Sequence, residues 1–362
     1  MSGARTATRS RSSILTGRPA SPMPNWAKSS NSSVSRASSR APSVPAPCLA
    51  LTTIIPSRPI SPSWKVSSSA ALGPSNPRPQ PSPPQRSNFM NYPLKVLVVE
   101  AHPDEAEMYA GGTVRLLADK GVAVKFMSLT NGDAGHHVME RGPLKRRRAH
   151  EAYTAARLLG VLDYEILDNH DGELMPDLAL RQKVISAICR WQADVVITFH
   201  DECDGHLDNR AAARAVREAV GFSGNANIVG DIPALERAPI CLKMTDYGSI
   251  QVHKHDVVVS NDASIEAKLK ACAAHATQFL EYAPYERGFF DEASAARDWP
   301  AQRALVLKHW PEFMYALDEM RPALRARYGE AKGNEIKFAE SFDLAPYGRK
   351  VTAAEVSELF GL

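Results

Sequence analysis

The chain has 362 residues and a formal net charge of +3, but the charge is unevenly spread: residues 1–90 carry eleven Lys or Arg and no acidic residue, which leaves −8 for residues 91–362. The basic balance therefore belongs to the N-terminal segment, and it excludes bulk positive charge as a reason for the remainder to bind nucleic acid. Five scattered cysteines without a Cys-x-x-Cys pair exclude a disulfide framework and a thiolate zinc site, so any metal would rely on His, carboxylate or amide donors.

Residues 1–90 are rich in Ser, Pro and Arg and lack extended apolar periodicity, which predicts a disordered tail that cannot bury enough surface to offset its chain entropy. An acid-free Arg/Ser-rich start also suits an organelle transit peptide, although its prolines would interrupt the amphipathic helix that import needs, so a cytoplasmic location is expected. A basic arm for anionic partners and a domain whose mature form begins at Met90 are the other readings. The apolar run Cys48 to Ile55 is too short to span a bilayer, as is every other segment, and no transmembrane segment is expected.

From Leu94 the chain alternates strand-like and helix-like runs. The expected order is a buried strand to Val99, a helix from Ala106 to Lys120, a strand from Val122 to Leu129, and a helix from Leu144 to Leu159 stopped by Gly160. A strand from Tyr164 to Leu167, a helix from Leu178 to Trp191, a strand from Asp194 to Phe199 and a helix from Ala211 to Val220 continue the pattern. Ile240–Met244 and Val257–Val259 read as further strands. Asp262 to Tyr282 reads as one long helix, Trp299 to Leu324 as helical, and Ala339 to Leu362 as a segment wrapping the domain. This rhythm predicts a single α/β domain over 91–362 with a doubly wound, mostly parallel sheet.

Chemistry gathers in two places. The first strand ends in Ala101-His102-Pro103-Asp104-Glu105, a tight strand-to-helix turn, although Asp104 and Glu107 also have capping-box spacing. The fourth strand ends in His200-Asp201-Glu202-Cys203-Asp204-Gly205-His206-Leu207-Asp208-Asn209-Arg210. Parallel strands put their C-terminal tips on one edge, so the two clusters are expected to converge where ligands bind in open α/β sheets. The place of a Gly-x-Gly-x-x-Gly after the first strand is taken by the His-Pro-Asp cluster, which argues against a nicotinamide-binding dehydrogenase.

The Ala-His-Pro-Asp-Glu turn, Ala110-Gly111-Gly112-Thr113 in the next helix and the distant His-x-Asp-x-Arg loop together resemble the LmbE-like, or PIG-L, family of metal-dependent N-deacetylases over roughly residues 94–285. Thr130 to Gly135, Arg148 with Glu151, and Asp171 to Leu174 resemble it as well. The resemblance implies a Rossmann-like fold, a divalent ion, zinc by the family's preference, and hydrolysis of an N-acetyl group on an amino sugar conjugate or related small amide. It implies His102, Glu105 and Asn209 as metal ligands, Asp104 as general base, His206 as oxyanion stabiliser, Asp208 as the residue orienting a neighbouring His, and Arg148 and Asp171 as substrate-pocket residues.

Two ligand positions depart from the family pattern: Glu105 stands where Asp is usual, and Asn209 where His is usual. An amide oxygen is a hard, weak donor that suits magnesium, calcium or manganese better than zinc, unless His200, Asp201 or Asp204 supplies the missing donor. The chain thus reads as a working deacetylase with an altered site or, alternatively, as a catalytically impaired deacetylase-like binding or scaffold protein. His275 is expected to be structural.

Overall fold

Apolar strands covered on both faces need helices above and below them. Val96 to Val99 of the first strand, β1 (Lys95–Glu100), are fully buried and meet that condition. The structure is a computed structural model and describes residues 94–362. The expected tail lies outside the described residues. Strands β2 (Ala123–Ser128), β3 (Asp163–Ile166), β4 (Val195–Thr198), β5 (Ile240–Met244), β6 (Val257–Ser260) and β7 (Ala339–Leu344) complete one sheet in the order β3-β2-β1-β4-β5-β7-β6. β3, β2, β1, β4 and β5 are parallel. The chain thus forms a mostly parallel α/β sheet whose connections reverse direction between β1 and β4.

Helices α1 (Glu105–Asp119), α2 (Arg141–Leu159) and α5 (Ile265–Ala274) pack together, and α3 (Leu178–Trp191) packs on α4 (Leu207–Phe222). α2 ends where Gly160 takes the left-handed conformation, φ 77°. α4 begins four residues earlier than its sequence pattern suggested, because the His206 imidazole accepts the Asp208 N–H as an N-cap and so draws Asp208 and Asn209 into the first helical turn.

Two expectations fail. The long helix expected from Asp262 to Tyr282 is broken: α5 ends before His275, and a π-helical turn, Thr277–Tyr282, follows. Two buried carboxylates attend the break, since Glu151 accepts the Thr277 N–H and hydroxyl, and Glu107 lies 3.1 Å from His275 Nε2. The short helices α6 (Ala283–Arg287) and α7 (Phe290–Ala295) come next. The segment Trp299 to Leu324 is helical as expected, in separate pieces, α8 (Trp299–His309), α9 (Pro311–Met314) and the start of α10 (Arg321–Tyr328), and Pro311 follows Trp310, which leaves the helical region. Finally, after α11 (Glu330–Glu335), the segment expected to wrap the domain begins as β7, inserted antiparallel between β5 and β6, and only α12 (Ala353–Phe360) lies beyond the sheet.

Candidate metal centre

The reversal between β1 and β4 opens a crevice at the strand tips, and both chemical clusters descend into it. The β1 tip is shaped by Glu105, whose Oε2 accepts the N–H groups of Ala101 (3.1 Å) and His102 (2.8 Å). Asp104 holds φ at 150°, a conformation non-glycine residues adopt at a cost of about 1–3 kcal/mol, and it makes no side-chain capping bond. The turn therefore serves to aim Asp104, not to cap α1.

Arg148 reaches this turn from α2. It donates to the carbonyls of Gly132 (3.0 Å) and Pro103 (3.1 Å) and lies 3.3 Å from Asp104 Oδ2 and 3.7 Å from Asp171 Oδ2. The approach requires glycine at 132, where φ is 67° and a Cβ would fall 2.6 Å from the guanidinium. With 2% of its surface exposed, Arg148 is a buried support behind two carboxylates, although one edge lines the cleft.

Asp171 sits in the loop after β3, with its N–H on Asp133 Oδ1 and the neighbouring His170 on Asp133 Oδ2. Its Oδ1 lies 3.0 Å from His102 Nε2. Asp208 Oδ2 lies 3.3 Å from the same nitrogen, and its carboxylate also accepts the N–H groups of Gly172 and Leu174, so Asp208 joins α4 to the β3 loop. The His206 ring stands edge-on to His102, with centroids 4.6 Å apart. Asn209 donates Nδ2 to Asp246 Oδ2 at 3.0 Å, while its buried Oδ1 has no hydrogen-bond partner.

These groups line a cleft of about 380 Å³ that includes His102, Asp104, Glu105, Asp171, His206 and Asn209. His102, Asp171 and His206 each offer one donor atom, all within 4.8 Å of one another. Glu105 instead spends an oxygen on backbone N–H groups. The carboxylate that joins the two imidazoles belongs to Asp171; Asp201 is paired with Arg217, and His200 with His253. An orphaned amide oxygen beside two imidazoles and several carboxylates is a donor set that fits a divalent ion.

The electrostatics divide the acids. Burial raises the Asp104 carboxyl to about 6, against the pull of Arg148 and His275. Burial also acts on Asp171, but His102 and Arg148 outweigh it and hold that carboxyl well below the usual range. Burial opposes the charged His102 ring, yet Asp171 and Glu105 hold its pKa well above that of ordinary imidazole.

Asp246, Tyr247, Gln278, Tyr282 and Glu286 also line the cleft and were not singled out from the sequence. Asp246 and Tyr247 were within reach, since they follow the tip of an expected strand; the others come from the broken helix and its continuation.

Residues 97–220 match the family described as PIG-L, GlcNAc-PI de-N-acetylase. The diacetylchitobiose deacetylase of Thermococcus kodakarensis is 30% identical over 196 residues, covering 52% of this chain and 71% of that protein. A probable N-acetyl-alpha-D-glucosaminyl L-malate deacetylase 2 of Bacillus cereus is 31% identical over 191 residues, covering 51% and 83%. Among solved structures, N,N'-diacetylchitobiose deacetylase from Pyrococcus horikoshii shares the fold at a TM-score of 0.53 and 23% identity, covering 70% of this chain and 84% of that one. GalB, the 4-carboxy-2-hydroxymuconate hydratase from Pseudomonas putida, does so at 0.54 and 19%, covering 71% and 98%. With its paired strand-tip clusters and this likeness over most of two deacetylases, the chain belongs to the PIG-L family.

Proposed function

We propose that the protein is a metal-dependent hydrolase that removes an N-acetyl group from an amino sugar conjugate or a related small amide. The observation that carries this reading is the convergence of His102, Asp104, Asp171, His206 and Asn209 on one cleft. The relatives support the substrate class, since one is named for diacetylchitobiose and the other for an N-acetylglucosaminyl malate.

The ion would be held by His102 together with donors from Asp171, Glu105 and Asn209; zinc is the family's ion, and an amide donor leaves room for a harder one. When bound, a divalent ion supplies positive charge that polarises an acyl oxygen and makes water acidic enough to attack at neutral pH. Asp104, aimed into the cleft by its strained turn and backed by Arg148, takes the proton from the attacking water and returns it to the leaving amine. His206 faces the acyl oxygen as its charge grows, and Asp208 holds the His102 ring in place. Asp171 and Arg148 shape the wall against which the sugar hydroxyls rest.

Acetate release from diacetylchitobiose and other N-acetylglucosamine conjugates by zinc-loaded protein tests the reading. Asp104→Asn should lower turnover by about 10²–10⁴-fold while metal content stays the same. Because GalB shares the fold, acetate release and not architecture decides the reaction. Metal binding without acetate release from any such conjugate would favour the alternative of a deacetylase-like binding protein, which the changes at Glu105 and Asn209 would then explain.

A further inference from the structure

A second group of metal-type donors lies outside the cleft. His200 at the tip of β4, His253 in the loop after β5 and Asp343 on β7 are all buried. His200 Nε2 is 2.9 Å from His253 Nδ1, His253 Nδ1 is 3.4 Å from Asp343 Oδ1, and His200 Nε2 is 3.8 Å from Asp343 Oδ2. Ligands at ~2.0–2.1 Å around a tetrahedral zinc stand about 3.3–3.4 Å apart; the His200–His253 and His253–Asp343 separations bracket that edge, the 3.8 Å contact is to the other Asp343 oxygen, and one donor atom from each residue lies within 4.8 Å of the other two.

The surroundings match what a metal-bound imidazole requires. His253 turns its other nitrogen, Nε2, to Ser341 Oγ at 3.1 Å, and Ser341 Oγ lies 2.8 Å from His255 Nδ1. An Nε2–H donated to Ser341 leaves the Nδ1 lone pair of His253 directed at the cluster, as a supporting hydrogen bond does for a ligating His. Ser341 and Asp343 alternate along β7 and so share one face of the sheet. Asp343 Oδ1 accepts the N–H groups of Lys254 and His255, and His255 is held at φ 59°, a left-handed conformation that a residue with a side chain adopts only under constraint.

We infer that His200, His253 and Asp343 form a second, structural site for a divalent transition metal, with zinc the ion that two imidazoles and one carboxylate suit best. It ties together the tip of β4, the loop 245–256 and β7. That loop includes Asp246, which holds Asn209 and Arg210 at the wall of the first cleft, so the second ion fixes the frame on which the first site is built.

The test is calorimetric titration of metal-stripped, full-length His102→Ala protein with zinc alone, a background in which the first site has lost its central ligand. About one equivalent should bind and raise the Tm, and Asp343→Asn or His200→Gln in that background should weaken binding by about 100-fold. His200→Gln is the safer variant, because the Asp343 carboxylate also holds two backbone N–H groups. In the unmutated chain, cobalt should show the visible absorption of a tetrahedral ion, diminished by His200→Gln. The inference is overturned if His102→Ala binds no zinc, or if His200→Gln leaves affinity within about threefold; the pair His200 and His253 would then simply share a proton. Acetate release plays no part in this readout, so the result stands apart from that of the proposed hydrolysis.

Discussion

Asn209 is where the two demands on one residue can be separated. Its amide has two ends: Nδ2 donates to Asp246, and the buried Oδ1 has no hydrogen-bond partner in a residue that lines the cleft. An imidazole also has two faces, so Asn209→His can keep an N–H on Asp246 and present the second nitrogen to the ion, a stronger donor to zinc than amide oxygen. Zinc affinity should rise by at least about tenfold, the smallest step that a change in the supporting shell alone produces. Calorimetry with metal-free protein checks it, and equal affinities would mean that residue 209 does not face the ion. Asp171 gives the complementary case. If it serves as a ligand and not as a sugar contact, Asp171→Asn should reduce metal content after dialysis; if it serves the sugar, KM should rise with metal content unchanged.

At the scale of elements, β7 does work that its sequence conceals. Glu340 accepts the N–H groups of Gly112 (2.9 Å) and Thr113 (2.7 Å) in α1 and lies 2.7 Å from Lys268 Nζ, whose side chain is fully buried and also donates to the Phe313 carbonyl at 2.6 Å. Removing one partner of such a pair strands the other charge, so Lys268→Met should cost about 3–5 kcal/mol in denaturant unfolding, whereas Lys268→Met with Glu340→Gln should recover part of the loss. A double variant no more stable than the single one would mean the pair itself does not matter. The same strand explains what was legible beforehand. β1 and β4 are largely apolar runs whose period and length announce buried parallel strands, and their polar tips announced the cleft. Ala-Glu-Ser-Phe-Asp-Leu reads instead as a surface segment, because the partners that neutralise it, Lys268 toward α1 and His253 and His255 beyond the sheet, meet it only after folding. The break at His275 was hidden for the same reason: the local apolar spacing suits an unbroken helix, and the interruption depends on Glu107 and Glu151 from distant helices.

For the whole molecule, the question is whether residues 1–89 contribute to the stability of the α/β domain. Among the described residues, 94–362, seven strands join in one sheet that helices cover, and both metal-type clusters are formed by these residues. Among the described residues, the main apolar core draws on β1 through β7, with Leu94 packed against it, and runs as far as Phe360. A chain beginning at Met90 should therefore unfold in one cooperative transition within about 2 °C of the full chain, since for a domain of this size ~1 kcal/mol moves Tm by roughly 2–4 °C. Charge offers a competing contribution: eleven basic residues stand against a remainder of −8, and long-range attraction between them would stabilise the full chain at low salt. The two cases separate in a salt series. If the sequence beyond Met90 is self-sufficient, the two proteins keep the same Tm from low to high ionic strength; a full chain that is several degrees more stable at low salt, and loses that advantage as salt screens the attraction, would show that the boundary at Met90 is drawn in the wrong place.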